Sequence, residues 1–259
     1  MEVFSFANWI STAPNWIQSC PNWLQNLLFQ IYQTFIYQDR WKFFTDGLKI
    51  TFIVTLGALV IGIIIGLIIA IIRTSHDSIV NKKPPIILRI FNGICKLYLT
   101  VIRGTPMMVQ LLIMGFVVMV PKTETARIVC GIVTLGINSG AYVAEIARSG
   151  LMSVNAGQTE AGRSLGFNYI QTMWYIVIPQ AIKNILPALG NEMITLLKDT
   201  SLVSVIALRD VTKQAQNIIS KTYQAYVPYI SLALIYLVIV IILTKLLGIL
   251  ERRLRKSDH

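Results

Sequence analysis

Charge is scarce in this chain. Only 14% of its 259 residues are Asp, Glu, Lys or Arg, against about 25% in an ordinary soluble domain. Acidic residues are rarer still, 12 against 23 basic ones. Cysteine and histidine are almost missing. Cys20, Cys95 and Cys130 are scattered and form no CxxC pair, and His76 and His259 lie far apart. Such spacing provides neither a disulfide framework nor a zinc ligand set, so no metal site is expected. The first residues, MEVFSFANWI, lack the basic start and compact apolar core of a cleavable signal peptide, so insertion is expected to rely on the first true membrane span. What the chain has in abundance is apolar side chains, 54% of the total, with a mean hydropathy of +0.63. That balance fits a protein whose solvent is mostly lipid. The net charge of +11 would point to nucleic acid in a soluble protein. Here the cations flank long apolar runs, where they set topology and meet anionic lipid, so no nucleic-acid partner is expected.

Three regions follow from the pattern. Residues 1–48 are polar and aromatic, with Trp9, Trp16 and Trp23 recurring every seven residues. This spacing can line tryptophans along one helical face at the headgroup level, as an extracytoplasmic interfacial helix; a loosely ordered extension is the alternative. Residues 49–250 contain five candidate spans, at about 50–72, 88–120, 128–147, 186–208 and 227–250, each long enough to cross a hydrocarbon core of about 30 Å. Gly62 and Gly66 give the first a GxxxG spacing that permits close helix contact, with Gly57 adding another small side chain. A mixed segment, 148–185, is too long for a turn and too polar to span. The final nine residues, 251–259, form a basic tail. Arg252, Arg253, Arg255 and Lys256 place the C-terminus in the cytoplasm, with Arg73, Lys82, Lys83, Arg89 and the 148–185 segment on the same side. Five spans then put the N-terminus outside.

An ionised side chain in a bilayer costs about 2.5–3.5 kcal/mol on insertion scales, so intramembrane charges need partners or a wet cavity. Counting along the helices places Arg103 about 22 Å into the second span and Lys198 and Asp199 about 18–20 Å into the fourth. Glu192 precedes Asp199 by seven residues and shares its helix face. Arg103 and Lys198 are therefore expected near Glu192 or Asp199, either around a central aqueous site or as ion pairs that lock helices together. Arg103-Gly104-Thr105-Pro106 breaks its helix, because glycine loosens the backbone and proline removes a donor. The break either frees backbone groups to recognise a polar solute or is a packing kink. Glu145 and Arg148, three apart, can pair on one face of the third span.

The most specific pattern lies in the mixed segment. Glu160-Ala161-Gly162, three residues, Gly166, nine residues, then Ile176-Val177-Ile178-Pro179 resembles the EAA loop of binding-protein-dependent importer permeases. Gly162 stands for the usual second alanine and Ile178 for leucine. Four further blocks are similar to those of the polar amino acid permeases (the histidine, glutamate, glutamine, arginine and opine group). They are RGTPMMVQ (Arg103 to Gln110), AYVAEIARSG (Ala141 to Gly150), GQTEAGRSLG (Gly157 to Gly166) and LLKDTSLVS (Leu196 to Ser204). The resemblance runs from about Phe43 to Leu250 and leaves residues 1–42 outside. A second match is superficial: Gly157 to Ser164 mimics a P-loop, with Arg163 for its lysine, but no strand precedes it and no α/β domain surrounds it.

The resemblance implies an all-α membrane protein of five transmembrane helices with a cytoplasmic EAA coupling loop, the architecture of a type I ABC importer permease in a bacterial inner membrane. Gly157, Gln158, Glu160, Ala161, Gly162, Gly166 and Pro179 would couple it to an ATPase. Small side chains at 161 and 162 would permit close docking, and Gly166 would allow the sharp turn. Arg103, Gly104, Thr105, Pro106, Gln110, Glu192, Lys198, Asp199, Thr200 and Ser201 would line the substrate pathway. Glu145 and Arg148 would form a structural pair at a helix end. The implied partners are two ABC ATPase subunits, a second permease subunit (the same or a sister chain), an extracytoplasmic binding protein, a polar amino acid and the bilayer. No catalytic residue and no cofactor belongs to this chain on that reading; ATP and Mg sit on the partner ATPase. An ion-gradient-driven amino acid transporter would explain the intramembrane charges but not the EAA loop, and no inverted repeat is evident. A channel or a scaffold would likewise leave that loop without a role.

Overall fold

The computed structural model describes residues 5–79 and 83–256, and side chains to residue 254. Lys82, the side chains of Arg255 and Lys256, and His259 lie outside the described residues. Twelve α-helices are seen among the described residues, and no strand. Three short ones come first: α1 (Phe6–Thr12), α2 (Asn15–Gln18) and α3 (Asn22–Ile31). Then come α4 (Trp41–Asp77), α5 (Ile86–Gly104), α6 (Met107–Ile113) and α7 (Glu124–Met152). The short α8 (Ala156–Ser164) and α9 (Tyr169–Thr172) lead into α10 (Ile178–Asp199), α11 (Val211–Thr222) and α12 (Tyr226–Lys256).

The N-terminal tryptophans do not share one helix face. Pro14 and Pro21 precede α2 and α3, and the proline ring ends each preceding helix because it offers no N–H to continue it. The seven-residue recurrence is thereby divided over three helices. Trp9 is buried with Ile17 and Phe29 in a small cluster, whereas Trp16 and Trp23 point outward. Gln38 and Asp39 take left-handed backbone angles and turn the chain into α4.

Three helices are long and apolar enough to cross a membrane: α4, α7 and α12. The α5–α6 pair makes a fourth if its two arms count as one span. The fourth expected span appears as α10, which starts and ends earlier than the expected 186–208 and passes into a 3-10 segment, Thr200–Ile206. Gln180, Lys183, Asn184, Asn191 and Glu192 make it less apolar than the other long helices. Helices α4, α7 and α12 exceed their apolar runs at both ends, because hydropathy marks the lipid-crossing stretch rather than the limit of backbone hydrogen bonding.

The bundle is organised on the α4–α7 contact. A methyl group at Gly66 would come within 2.5 Å of Val143 Cγ1 and 2.9 Å of the Ala144 backbone nitrogen. The GxxxG spacing thus serves the close approach it promised. Leu111, Leu135, Leu196, Val203 and Leu208 complete the main core with Val54 and Ala58, tying α6, α7 and the α10 end to α4.

Outside the spanning helices, Asp210 caps α11, and its carboxylate accepts from the backbone N–H of Thr212 at 3.0 Å and of Lys213 at 2.9 Å. Thr51 Oγ1 accepts from the Val211 N–H at 3.3 Å and fixes α11 to α4. Asp210 is wholly buried, and burial pushes its carboxyl up to about 6 despite those donors. A carboxyl with a raised folded pKa binds its proton more tightly when folded. Its contribution to stability is therefore complete below about pH 4 and is lost as pH rises through about 6. Thermal unfolding of the detergent-purified protein from pH 4 to 7 should show this decline, and Asp210→Asn should flatten it.

Candidate functional site: a polar ladder on α7 and an exposed helical hairpin

The break after Arg103 bends α5 against α6 by 104°. Three of the carbonyls at the break are already occupied. Gln110 Nε2 reaches the carbonyl oxygen of Ile102 at 2.8 Å and that of Thr105 at 3.1 Å, and the Thr105 hydroxyl donates to the Val101 carbonyl at 2.8 Å. Gln110 Oε1 in turn accepts from Asn138 Nδ2 at 3.0 Å. The joint is thus braced by the Gln110 side chain.

Asn138 is the first rung of a ladder. Residues 138, 142, 145 and 148 lie three or four apart on α7 and share a face. The Arg103 guanidinium sits 5.7 Å from the Tyr142 ring centre. Glu145 Oε1 is 3.3 Å from Arg73 Nη1 and 3.6 Å from Arg103 Nη1. Arg148 Nη2 donates to Asp77 Oδ2 at 2.9 Å. Glu145 and Arg148 therefore do not pair with each other. The end of α4 presents Arg73 and Asp77 in matching order, and a cross-helix partner holds each charge instead. A cavity of about 570 Å³ opens on this face, lined by Arg73, Lys96, Thr100, Arg103, Tyr142 and Glu145 among others. Three cations face one carboxylate there.

The second polar group sits around the corner of α7. Ser139 Oγ donates to Glu192 Oε1 at 2.7 Å. No ion pair joins Arg103 or Lys198 to Glu192 or Asp199 among the described residues, contrary to the expectation from depth alone. The reason is rotational: α7 stands between α5 and α10 and supplies each with its own polar face. Lys198 is exposed and Asp199 is half-buried. Thr200 is buried and donates to the Leu197 carbonyl at 2.6 Å, and the Ser201 carbonyl accepts from Ser204 Oγ at 2.9 Å.

Beyond α7 the chain leaves the bundle and forms a helical hairpin. Asn155 caps α8 by accepting from the Gly157 N–H at 2.8 Å. Gly166, at φ +87°, makes the turn in a region that L side chains avoid. Asn168 and Gln171 then start α9 with a reciprocal capping box. Gln180 Nε2 approaches Gln158 Oε1 at 3.4 Å and joins the two arms, and Pro179 opens the first turn of α10. Gly157, Gln158, Glu160 and Ala161 face outward, but Gly162 faces inward. Its missing Cβ would meet Ile176 Cδ1 at 2.7 Å and Thr172 Cγ2 at 3.0 Å. Gly162 therefore serves contact within the hairpin rather than docking at its surface.

Sequence reasoning overlooked the residues that make this surface apolar. Leu165 is 77% exposed and Trp174 65%, beside exposed Ile170 and Tyr175. A run of uncovered aromatics in an otherwise polar loop was the available signal. It also overlooked Arg73, Asp77, Lys96, Asn138 and Tyr142. The first two sit in a stretch that reads as an ordinary basic helix end.

An all-α bundle of apolar helices with a braced helix break, a charged face and a projecting hairpin is that of a polytopic membrane protein, and the matches to known proteins make it a permease of the type I ABC importer architecture. Residues 87–256 match the family described as binding-protein-dependent transport system inner membrane component, and the chain belongs to that family. It is similar to the arginine transport system permease protein ArtQ of Bacillus subtilis (strain 168), with 36% identity over 217 residues, 83% of this chain and 94% of that one. It is also similar to the glutamine transport system permease protein GlnP of Escherichia coli (strain K12), with 34% identity over 212 residues, covering 81% and 92%. Among solved structures, an amino acid ABC transporter crystallised with histidines matches at 44% identity and a TM-score of 0.73, covering 82% of this chain and 94% of that one. An inward-facing form of the MetNI methionine ABC transporter shares the fold at 19% identity and a TM-score of 0.61, covering 82% and 94%.

Proposed function

We propose that this chain is the membrane-spanning subunit of an ATP-driven importer that moves polar amino acids delivered by an extracytoplasmic binding protein. One observation carries the reading. The hairpin from Ala156 to Val177 projects an apolar, aromatic surface that nothing among the described residues covers, and exposed apolar patches of this kind mark interaction sites. On this reading the surface docks on a separate ATPase subunit, two of which bind a pair of permeases, identical or sister chains, in a bacterial inner membrane. ATP and Mg act on those subunits, and no covalent chemistry occurs here. The C-terminus and the hairpin lie in the cytoplasm and the N-terminus outside. ATP binding and hydrolysis bias the bundle between outward- and inward-open states through differential contact with the hairpin.

The cavity beside Arg103 supports a zwitterionic cargo, because a carboxylate can be received by its surplus cations while Glu145 offers a partner to an ammonium group. Relatives named for arginine and glutamine support an amino acid as that cargo. Uptake of labelled amino acids into vesicles holding the permease, the ATPase and the binding protein is expected to require ATP. It should be blocked by orthovanadate and survive a protonophore. Uptake that follows an ion gradient and ignores vanadate would overturn the reading in favour of a secondary transporter.

A further inference from the structure

A groove of about 460 Å³ runs between the N-terminal helices and α12, within the roughly 300–1,000 Å³ typical of small-molecule sites. Leu27, Ile31 and Phe35 form one wall, and the stretch of α12 from Tyr226 to Ile235 forms the other. Ser231 is the one hydroxyl within it besides the Tyr226 phenol. We propose that this groove holds one acyl chain of a phospholipid from the leaflet at the Trp41 and Tyr226 ends of the spanning helices.

Three observations fix the occupant. The first is continuity: only 6% of the most apolar window of α12 is buried within the chain, so the groove opens onto the same surface that meets lipid. The second is length. Tyr226 to Ile235 rises about 14 Å along a helix, close to half of a hydrocarbon core of about 30 Å, which is the depth of one leaflet. The third is charge. From Ser5 to Gln38 the sequence carries no ionisable Asp, Glu, Lys, Arg or His at all, so this wall offers a protein partner no ion pair. The N-terminal helices present exposed Trp16 and Trp23, and Trp41 at the start of α4 is also exposed. Tryptophan is stabilised at the headgroup level of a bilayer. One wall comes from residues 27–35, which precede the matched family region at 87–256, and the other from α12 within it. The site thus depends on this chain's N-terminal helices meeting the bundle, and it stands independently of the cargo.

The test is native mass spectrometry of the whole transporter, released in mild detergent from membranes, counting phospholipids retained per permease copy. The wild-type chain is expected to keep one phospholipid that Ser231→Trp, which fills the groove, and Ile31→Gln, which makes its wall polar, each lose at least fivefold. Leu237→Trp, on the exposed side of α12, should keep it. If Ser231→Trp folds poorly, Ile31→Gln decides alone. Equal retention in the wild-type chain and the groove variants overturns the proposal. So does a disulfide between two copies carrying Ser231→Cys, since a second permease would then occupy the groove.

Discussion

Gly162→Leu is expected to lower amino acid uptake at least tenfold while leaving the membrane bundle folded. Even the first side-chain atom would stand 2.7 Å from Ile176 Cδ1 and 3.0 Å from Thr172 Cγ2, and leucine adds three more. Overpacking of this kind costs about 1–3 kcal/mol. All of it falls on the contact that holds α8 against the second arm, because the neighbours of Gly162 lie within the hairpin itself. Splaying the arms displaces the surface of Leu165, Ile170 and Trp174 that the ATPase would grip. The spanning helices share none of these contacts, so thermal unfolding of the isolated permease should be nearly unchanged. Gly162→Ala should keep most of the uptake. The Ile176 methyl it meets is the free end of a rotatable side chain, and alanine favours helix by about 1 kcal/mol over glycine. Measured uptake at the wild-type rate in Gly162→Leu would remove the hairpin from the coupling path.

Arg103→Glu is expected to reduce uptake at least tenfold, again in a folded protein. The geometry separates the two readings of this residue. The pair with Glu145 spans 3.6 Å with side chains 44% and 41% exposed, and half-exposed pairs contribute at most about 1 kcal/mol. The contact with the Tyr142 ring adds about 0.5–1 kcal/mol. Neither is large beside the roughly 5–15 kcal/mol that holds a domain together, so reversal should shift the unfolding temperature by only a few degrees. It does change the cavity, from three cations and one carboxylate to two of each. A permease carrying both Arg103→Glu and Glu145→Arg restores the ion pair without restoring the arrangement a carboxylate would meet. If that double variant regains uptake, Arg103 is a helix lock and the cavity is not on the route.

Much of the site was legible because it is carried by local patterns. The hairpin follows from Asn155, Gly166, Asn168 and Gln171, whose capping and turn preferences act within a few residues. The helix break follows from Gly104 and Pro106 for the same reason. The pairing of charges was not legible. Depth along a helix fixes a residue's height, and Arg103, Lys198 and Asp199 lie at similar heights by that count. Which face each residue turns to its neighbours depends on the rotation of α7 between α5 and α10. The N-terminal tryptophans failed in the same manner: a recurrence of seven implies one face only while the helix is continuous, and Pro14 and Pro21 interrupt it.

By itself the sequence determined a lipid-solvated helical chain, the position of its break and hairpin, and the family to which those patterns belong, since apolar length, proline and glycine act locally on the backbone. Only the tertiary structure decided that Glu145 holds Arg73 and Arg103, that Gln110 braces the break, that Gly162 faces inward and that α3 walls a groove on α12. Those outcomes depend on how helices distant in sequence are rotated and pressed together, and that is set by close packing such as the approach of Gly66 to Val143 rather than by any local preference.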